Sequence, residues 1–240
     1  YFESIRFIKS KEKETNIEDL VNKKLYKPKE FIQYDELLIK RLNNQALESP
    51  RALRYFEGRK ITKQSIEKFN LGFSEKQDMV TVPLHSPDGM PVGIIGRSIE
   101  GKRFKNSDNL PRSLTMFNLH RAKKLSATLV VCESSFDAIR IHQAGYPNVV
   151  ATLGGGISKQ NIKNLNRYSS AIIIATDMDE AGRKLGMEIA TKLSNKNISW
   201  ASFDDGIVYP HDAKDVGELT DQEIKTCIKN AIPHFEYANL

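Results

Sequence analysis

Asp177 and Asp179 stand one residue apart in IIIATDMDEAG (172–182), directly after a run of bulky apolar residues and before a helix-like segment. A buried strand that ends on two carboxylates suits divalent-cation chemistry. Mg²⁺ takes oxygen ligands at roughly 2.0–2.1 Å and commonly accepts only one or two carboxylates, leaving other positions to water and phosphate. An Asp-x-Asp pair before a helix also has a plainer use, as favourable charge beside the helix dipole. Glu133, immediately after TLVVC, and Asp212 and Asp215 in HDAKDVGEL (211–219) add carboxylates near the ends of other expected strands. Clustered acids that are not neutralised repel one another and raise each other's pKa, a conflict that a bound cation resolves.

The elements that would position these groups alternate. From Thr128 onward TLVVC reads as a strand, SFDAIRIHQAG as a helix ended by Gly145, and NVVATL as a strand leading into the loop Gly154-Gly155-Gly156. A helix from about Ser158, the strand AIIIAT, the helix EAGRKLGMEIATKLS and the strand ISWASF follow. This β-α-β-α-β-α-β order, with nearly continuous apolar strands, predicts an α/β fold: a parallel sheet flanked by helices. Functional groups then gather outside the carboxyl ends of the strands, where Glu133, the glycine loop, Asp177 and Asp179 all fall.

Upstream the chain is different in kind. Residues 1–48 are polar and Lys-rich with weak helical patterns in IEDLVNKK and YDELLIKRLNN, and are read as an arm or linker. Ser49-Pro50 supplies an N-cap and a proline at the first helical position for a helix through about Glu57. Thr62 caps a second short helix, KQSIEKF, which stops near Leu71-Gly72. MVTVPL and PVGIIGRSI, joined by the turn Ser86–Gly89, read as a β-hairpin. The expected organisation is an arm (1–48), a smaller basic mixed α/β subdomain (49–125), the parallel-sheet domain (126–205) and an acidic loop with a helical segment (206–240).

Charge is divided along the same line. Residues 126–240 hold 11 Lys and Arg against 14 Asp and Glu, a net of −3, which leaves +9 of the total +6 on residues 1–125. A basic lobe beside acidic strand ends suits a polyanion held next to a metal. No apolar run approaches the roughly 20 residues needed to span a bilayer, and nothing near Tyr1 reads as a secretory signal. A cytoplasmic protein without a membrane partner is expected. Two cysteines, Cys132 and Cys227, far apart and without a CxxC partner, support neither a disulfide framework nor a zinc site. His120, His142, His211 and His234 show no metal-ligand spacing, and the chain opens on Tyr rather than Met, which suggests a fragment.

Taken in order, ESSFDAI from Glu133, ATLGGGIS, DMDEAG and AKDVGEL resemble the acidic motifs of the Toprim domain, a module of bacterial-type primases, topoisomerases and some nucleases. The resemblance continues upstream. YFEGRKITKQSIEKFNLGF, VPLHSPDGMPVGIIGRSI, and RFKNS followed by MFNLHRA are similar to segments of DnaG-type primases, so that it covers roughly residues 50–220. It implies the RNA polymerase core of a bacterial or bacteriophage DnaG-type primase: an enzyme that makes short RNA primers on single-stranded DNA by metal-dependent nucleotidyl transfer.

On this resemblance Glu133, Asp177 and Asp179 are the catalytic, Mg²⁺- or Mn²⁺-binding acids, with Asp137 and Asp215 as further ligands or supports. Arg59, Arg97, Arg103, Lys105, Asn106 and Arg112 would contact template or ribonucleoside triphosphates, and Phe104 is a candidate to stack on a base. The plain alternative for these cations is a solvated hairpin face. Partners implied are single-stranded DNA, ribonucleotides, a replicative helicase and a zinc-binding domain outside these residues. Two departures stand out: Ser134 replaces the family's glycine after the glutamate, and Asp215-Val216-Gly217 replaces Asp-Pro-Asp. A Toprim nuclease, a topoisomerase fragment and a non-catalytic nucleic-acid-binding module are the competing readings. The topoisomerase reading lacks a motif around Tyr146, Tyr168 or Tyr209.

Overall fold

The computed structural model describes residues 31–101, 103–154, 156–202 and 209–237. Residues Ile32–Leu240 form one compact unit. Most of the expected arm, residues 1–30, lies outside the described residues, and so do Gly155 of the glycine loop and residues 203–208.

The arm reading fails where the description begins. Helix α1 (Glu36–Glu48) is capped by Asp35, whose Oδ1 accepts from the Leu37 amide at 2.8 Å and the Leu38 amide at 3.2 Å. Its Ile39, Leu42, Asn43 and Ala46 are buried, the i, i+3, i+7 stripe of a packed helix. Asn43 donates from Nδ2 to the carbonyls of Ile66 (3.1 Å) and Leu71 (2.7 Å), which fastens α1 to the elements that follow. Helix α2 (Pro50–Gly58) begins as expected on Ser49 with Pro50 at the first position, and α3 (Lys63–Lys68) is capped by Thr62.

The hairpin is present as β2 (Met79–His85) and β3 (Pro91–Ser98), antiparallel with Val82 opposite Ile95. Two three-residue strands that the sequence did not announce, β1 (Gly72–Ser74) and β4 (Phe104–Asn106), widen it into an antiparallel sheet of order β1-β2-β3-β4. A short helix, α4 (Leu119–Ala122), leads into the second sheet.

That sheet contains β5 (Thr128–Cys132), β6 (Val149–Ala151), β7 (Ala171–Ile174) and β8 (Asn197–Trp200), all parallel, and a two-residue antiparallel strand β9 (Ile232–Pro233), in the order β6-β5-β7-β8-β9. Helices α5 (Ser135–Gln143), α6 (Lys159–Tyr168) and α7 (Glu180–Lys192) are the crossovers, while α8 (Asp221–Lys229) and α9 (His234–Tyr237) flank β9. Leu129, Val131, Ile172, Ile174, Leu185 and Ile189 belong to the core between sheet and helices. Both sheet edges are covered: an antiparallel bridge sets Phe117 against Ala151 of β6, and β9 lies along β8. Among the described residues no helix is long and apolar enough to cross a membrane.

Candidate active-site groove

The carboxyl ends of β5 and β7 bring the acids together. Glu133 follows β5 directly, and its Oε1 accepts from the Asp177 amide at 3.4 Å. Asp177 lies three residues beyond β7. Gly182, in the first turn of α7, lets that helix start close against both: a Cβ there would collide with the Asp177 carbonyl and lie 2.7 Å from Glu133 Oε1. Asp179 is the N-cap of α7, with Oδ1 accepting from the Gly182 amide at 2.8 Å. This aspartate thus sits at the helix terminus, as its plainer use beside the dipole requires, and the cap bond fixes the carboxylate at the rim.

Asp137 is buried in the first turn of α5, 6% exposed. Ser134, the first departure noted in the sequence, is the N-cap of that helix and forms a capping box with Asp137; its hydroxyl donates to Asp137 Oδ2 at 2.6 Å. Asp215 caps a 3-10 turn, Val216–Glu218, by accepting from the Glu218 amide at 3.2 Å. The loops carrying Asp177 and Asp215 are joined where the Met178 amide donates to the Lys214 carbonyl at 2.8 Å.

Concentrating these charges has a measurable consequence. Burial, and then the neighbouring Glu133, Asp137, Asp215 and Asp179, push Asp177 up to about 8. Burial raises Asp137 to about 6 even though Ser134 works against it, and burial also raises Glu133. The donor set, all carboxylate oxygen and strained by like charge, fits a hard divalent cation in chemistry and in charge. Among the described residues, however, no three His, Cys, Asp or Glu side chains converge at metal-ligand spacing.

The opposite wall is cationic and aromatic. Arg59 donates from Nε to the Tyr55 hydroxyl at 2.9 Å and lies 5.2 Å from the ring centres of both Tyr55 and Phe136. Arg97 lies 5.9 Å from Phe136 and 5.3 Å from Phe104. The result is a ladder, Tyr55, Arg59, Phe136, Arg97, Phe104, in which aromatic faces and guanidinium groups alternate across α2, α5, β3 and β4. Burial lowers the Arg97 pKa, and its Nε is buried without a hydrogen-bond partner among the described residues. Arg59, Arg97, Phe136, Asp137, Asp177 and Asp215 line one groove. An adjoining cleft, sharing Asp177, is lined by Phe104, Asn106, Arg112, Glu133 and Gly154. Arg112 donates from Nη1 to the Leu153 carbonyl at 3.1 Å, which sets it beside the glycine loop.

Two of the expected cations do not join this site. Lys105 faces the other side of the antiparallel sheet, in a cleft with Arg41 and Lys76 beside α1, because successive residues of β4 point to opposite faces. Arg103 precedes β4 and donates from Nη2 to the Gln77 carbonyl at 3.4 Å. Sequence reasoning did not single out Tyr55 or Phe136; two aromatics 81 positions apart carry no local signal of a shared arginine.

A family model described as Toprim-like matches residues 130–220, the stretch that carries the parallel strands and the acids at their ends. Among curated proteins the chain is similar to bacterial DNA primases. It is 28% identical over 183 residues to the DNA primase of Clostridium acetobutylicum, covering 72% of this chain and 30% of that protein. It is 24% identical over 251 residues to that of Thermotoga maritima, covering 97% and 42%. The fold is that of solved primase cores. The Aquifex aeolicus primase structure with zinc-binding and RNA polymerase domains superimposes with a TM-score of 0.69 at 20% identity, covering 84% of this chain and 62% of that one. A DnaG primase catalytic domain bound to single-stranded DNA gives 0.66 at 19%, covering 85% and 80%. The chain spans less than half the length of the curated relatives it matches.

Proposed function

We propose that this chain is the catalytic core of a DNA primase, which joins ribonucleotides into a short RNA on a single-stranded DNA template. The observation that carries this reading is a pair of adjoining hollows that share Asp177: in one Asp137, Asp177 and Asp215 share the lining with Arg59 and Arg97, and in the other Glu133 and Asp177 share it with Phe104, Asn106 and Arg112. Glu133 and Asp177 would hold a divalent cation, with Asp179 at the rim and Asp137 and Asp215 beside them. Mg²⁺ or Mn²⁺ bound there supplies a Lewis acid for phosphoryl oxygens and for the attacking 3′-hydroxyl.

The remaining work falls to the chain's own groups. The ladder holds Arg59 and Arg97 with their guanidinium planes packed, so that little side-chain freedom is lost when they meet phosphates. Arg112 and Asn106 border the cleft beside Glu133, where a nucleotide's triphosphate or ribose would lie. Phe104, 59% exposed at the end of the ladder, offers a free ring face to a base. Arg103 contributes to the approach of the template strand. Lys105 is not assigned to this groove, for the geometric reason given above. The helicase and the zinc-binding domain expected of such a primase are partners supplied from outside these residues.

The test is direct. The chain is incubated with single-stranded templates, the four ribonucleoside triphosphates and Mg²⁺ or Mn²⁺, and products are resolved on a gel. Short RNA is expected, and it should disappear in Glu133→Gln and Asp177→Asn. Template cleavage without RNA would support a Toprim nuclease instead.

A further inference from the structure

A cluster of hydrogen bonds ties the basic side of the groove to the turn that carries Asp215. Lys60, between α2 and α3, holds a left-handed φ of 55°, unusual for a residue with a side chain. Its Nζ donates to the Glu218 carbonyl at 2.6 Å and the Leu219 carbonyl at 3.4 Å. Its own carbonyl accepts from Arg140 Nη1 at 3.0 Å and Gln143 Nε2 at 2.9 Å. Arg140, in α5 and only 3% exposed, also donates from Nη2 to the Leu219 carbonyl at 2.9 Å and pairs with Asp221 at 2.6 Å. Carbonyls and a carboxylate occupy Nη1 and Nη2 of this deep guanidinium, while its Nε is buried without a partner among the described residues.

What these bonds hold is a turn with little room. A Cβ on Gly217 would lie 2.9 Å from Asp215 Oδ1 and 3.2 Å from Asp137 Oδ1, so the turn backbone sits wedged between the two carboxylates. Its far side is tied to the Asp177 loop through Lys214 and Met178.

We propose that Lys60 and Arg140 form a clasp that positions Asp215: they hold the 215–219 turn so that its carboxylate stays beside Asp137 and Asp177, and they couple that turn to the segment bearing Arg59. Neither residue touches the reacting groups, so both are positioning residues. The inference rests on reading the acid groove as a divalent-cation site. Loss of the clasp weakens cation binding while every acid, Arg59 and Arg97 remain present.

Mn²⁺ binding to the full chain, followed by the electron paramagnetic resonance signal of the free ion, separates the two ideas. Parent protein, Asp177→Asn, Arg140→Gln, Arg140→Lys and Lys60→Gly are compared, together with amide hydrogen exchange at residues 214–219 and single-stranded DNA binding. Asp177→Asn should abolish tight Mn²⁺ binding. Arg140→Gln and Lys60→Gly should each weaken it about tenfold, the lower end of the loss when a support of a metal ligand is removed. Exchange at 214–219 should accelerate, DNA binding should hold, and Arg140→Lys should restore part of the affinity. If Asp177→Asn weakens Mn²⁺ binding but Arg140→Gln and Lys60→Gly match the parent, the clasp has no such role and the acid site stands. If Asp177→Asn binds as the parent does, the acid-site reading falls and the clasp inference with it. Should Arg140→Gln fail to fold, Lys60→Gly decides, because glycine accepts the left-handed backbone and removes only the side-chain bonds.

Discussion

Asp177 carries the pH behaviour of the groove. Its folded pKa of about 8 stands above the ordinary 3.8, so between those values the folded protein keeps a proton that the unfolded chain has released. Stability of the metal-free protein therefore falls as pH rises through that window. Asp177→Asn should flatten this slope and raise the melting temperature at about pH 8, and thermal melts across the range check it. A cation must displace the same proton, so Mn²⁺ affinity of the parent should rise with pH up to about 8. The two faces of the antiparallel sheet give a second contrast, Arg97 of β3 on one and Lys105 of β4 on the other. Arg97→Ala should weaken single-stranded DNA binding, lower its salt slope by about 0.7–1, and reduce synthesis even at saturating template. Lys105→Ala should leave synthesis at saturating template intact, and a loss equal to that of Arg97→Ala would return Lys105 to the groove. The position of Glu133 and Asp177 near strand ends was legible in the sequence because an apolar run followed by a carboxylate marks a strand's carboxyl end. Lys105 was misplaced because a three-residue strand shows no periodicity from which to read a face. The Arg59–Phe136–Arg97 stack and the Lys60–Arg140 clasp join segments far apart in the chain, and single cations give no sign of their partners.

At the level of elements, the junction of β2 with α4 sets the acid limit. His85 ends β2 and His120 lies in α4, their rings tilted with centres 4.4 Å apart. Burial, and after it Arg121, lowers His85 to about 4; burial, His85 and nearby cations lower His120 to about 3. Both folded values lie below the ordinary 6.5, so on acidification the unfolded chain takes up protons first and stability drops from about pH 6.5 downward. His120→Gln should flatten that acid limb in thermal melts between about pH 7 and pH 4. Between about pH 4 and pH 6.5 the histidine and Asp177 slopes oppose one another, and from there to about pH 8 the Asp177 slope alone lowers the stability of the metal-free protein. The alternation of strands and helices after Thr128 was readable because each parallel strand is a continuous apolar run. Helix α1 was mistaken for a linker because its apolar stripe is narrow, although Asp35 followed by Ile39, Leu42 and Ala46 was the available signal. Strands β1, β4 and β9 owe their existence to pairing with longer neighbours, and two or three residues do not announce that.

For the whole molecule, the division of labour follows from what the groove offers. Phosphate contacts position a strand without reading its bases, and the assigned cations of the groove are of that kind. These residues should extend a pre-annealed short RNA more efficiently than they start one, with little template sequence preference; addition of a primase zinc-binding domain in trans should narrow the gap. Efficient sequence-specific initiation by this chain alone would place recognition within it. The C-terminal end of the second sheet has a separate use. Trp200, the single tryptophan of the chain, stacks on Tyr237 with ring centres 3.8 Å apart and donates from its indole nitrogen to His234 Nδ1 at 3.0 Å. Both partners belong to the segment that covers the edge of β8, so peeling that segment away bares an unpaired strand, the template on which chains associate edge to edge, and at the same moment strips the indole of its ring partner and its hydrogen bond. Intrinsic fluorescence of the unlabelled protein therefore reports the first step toward aggregation before any turbidity develops.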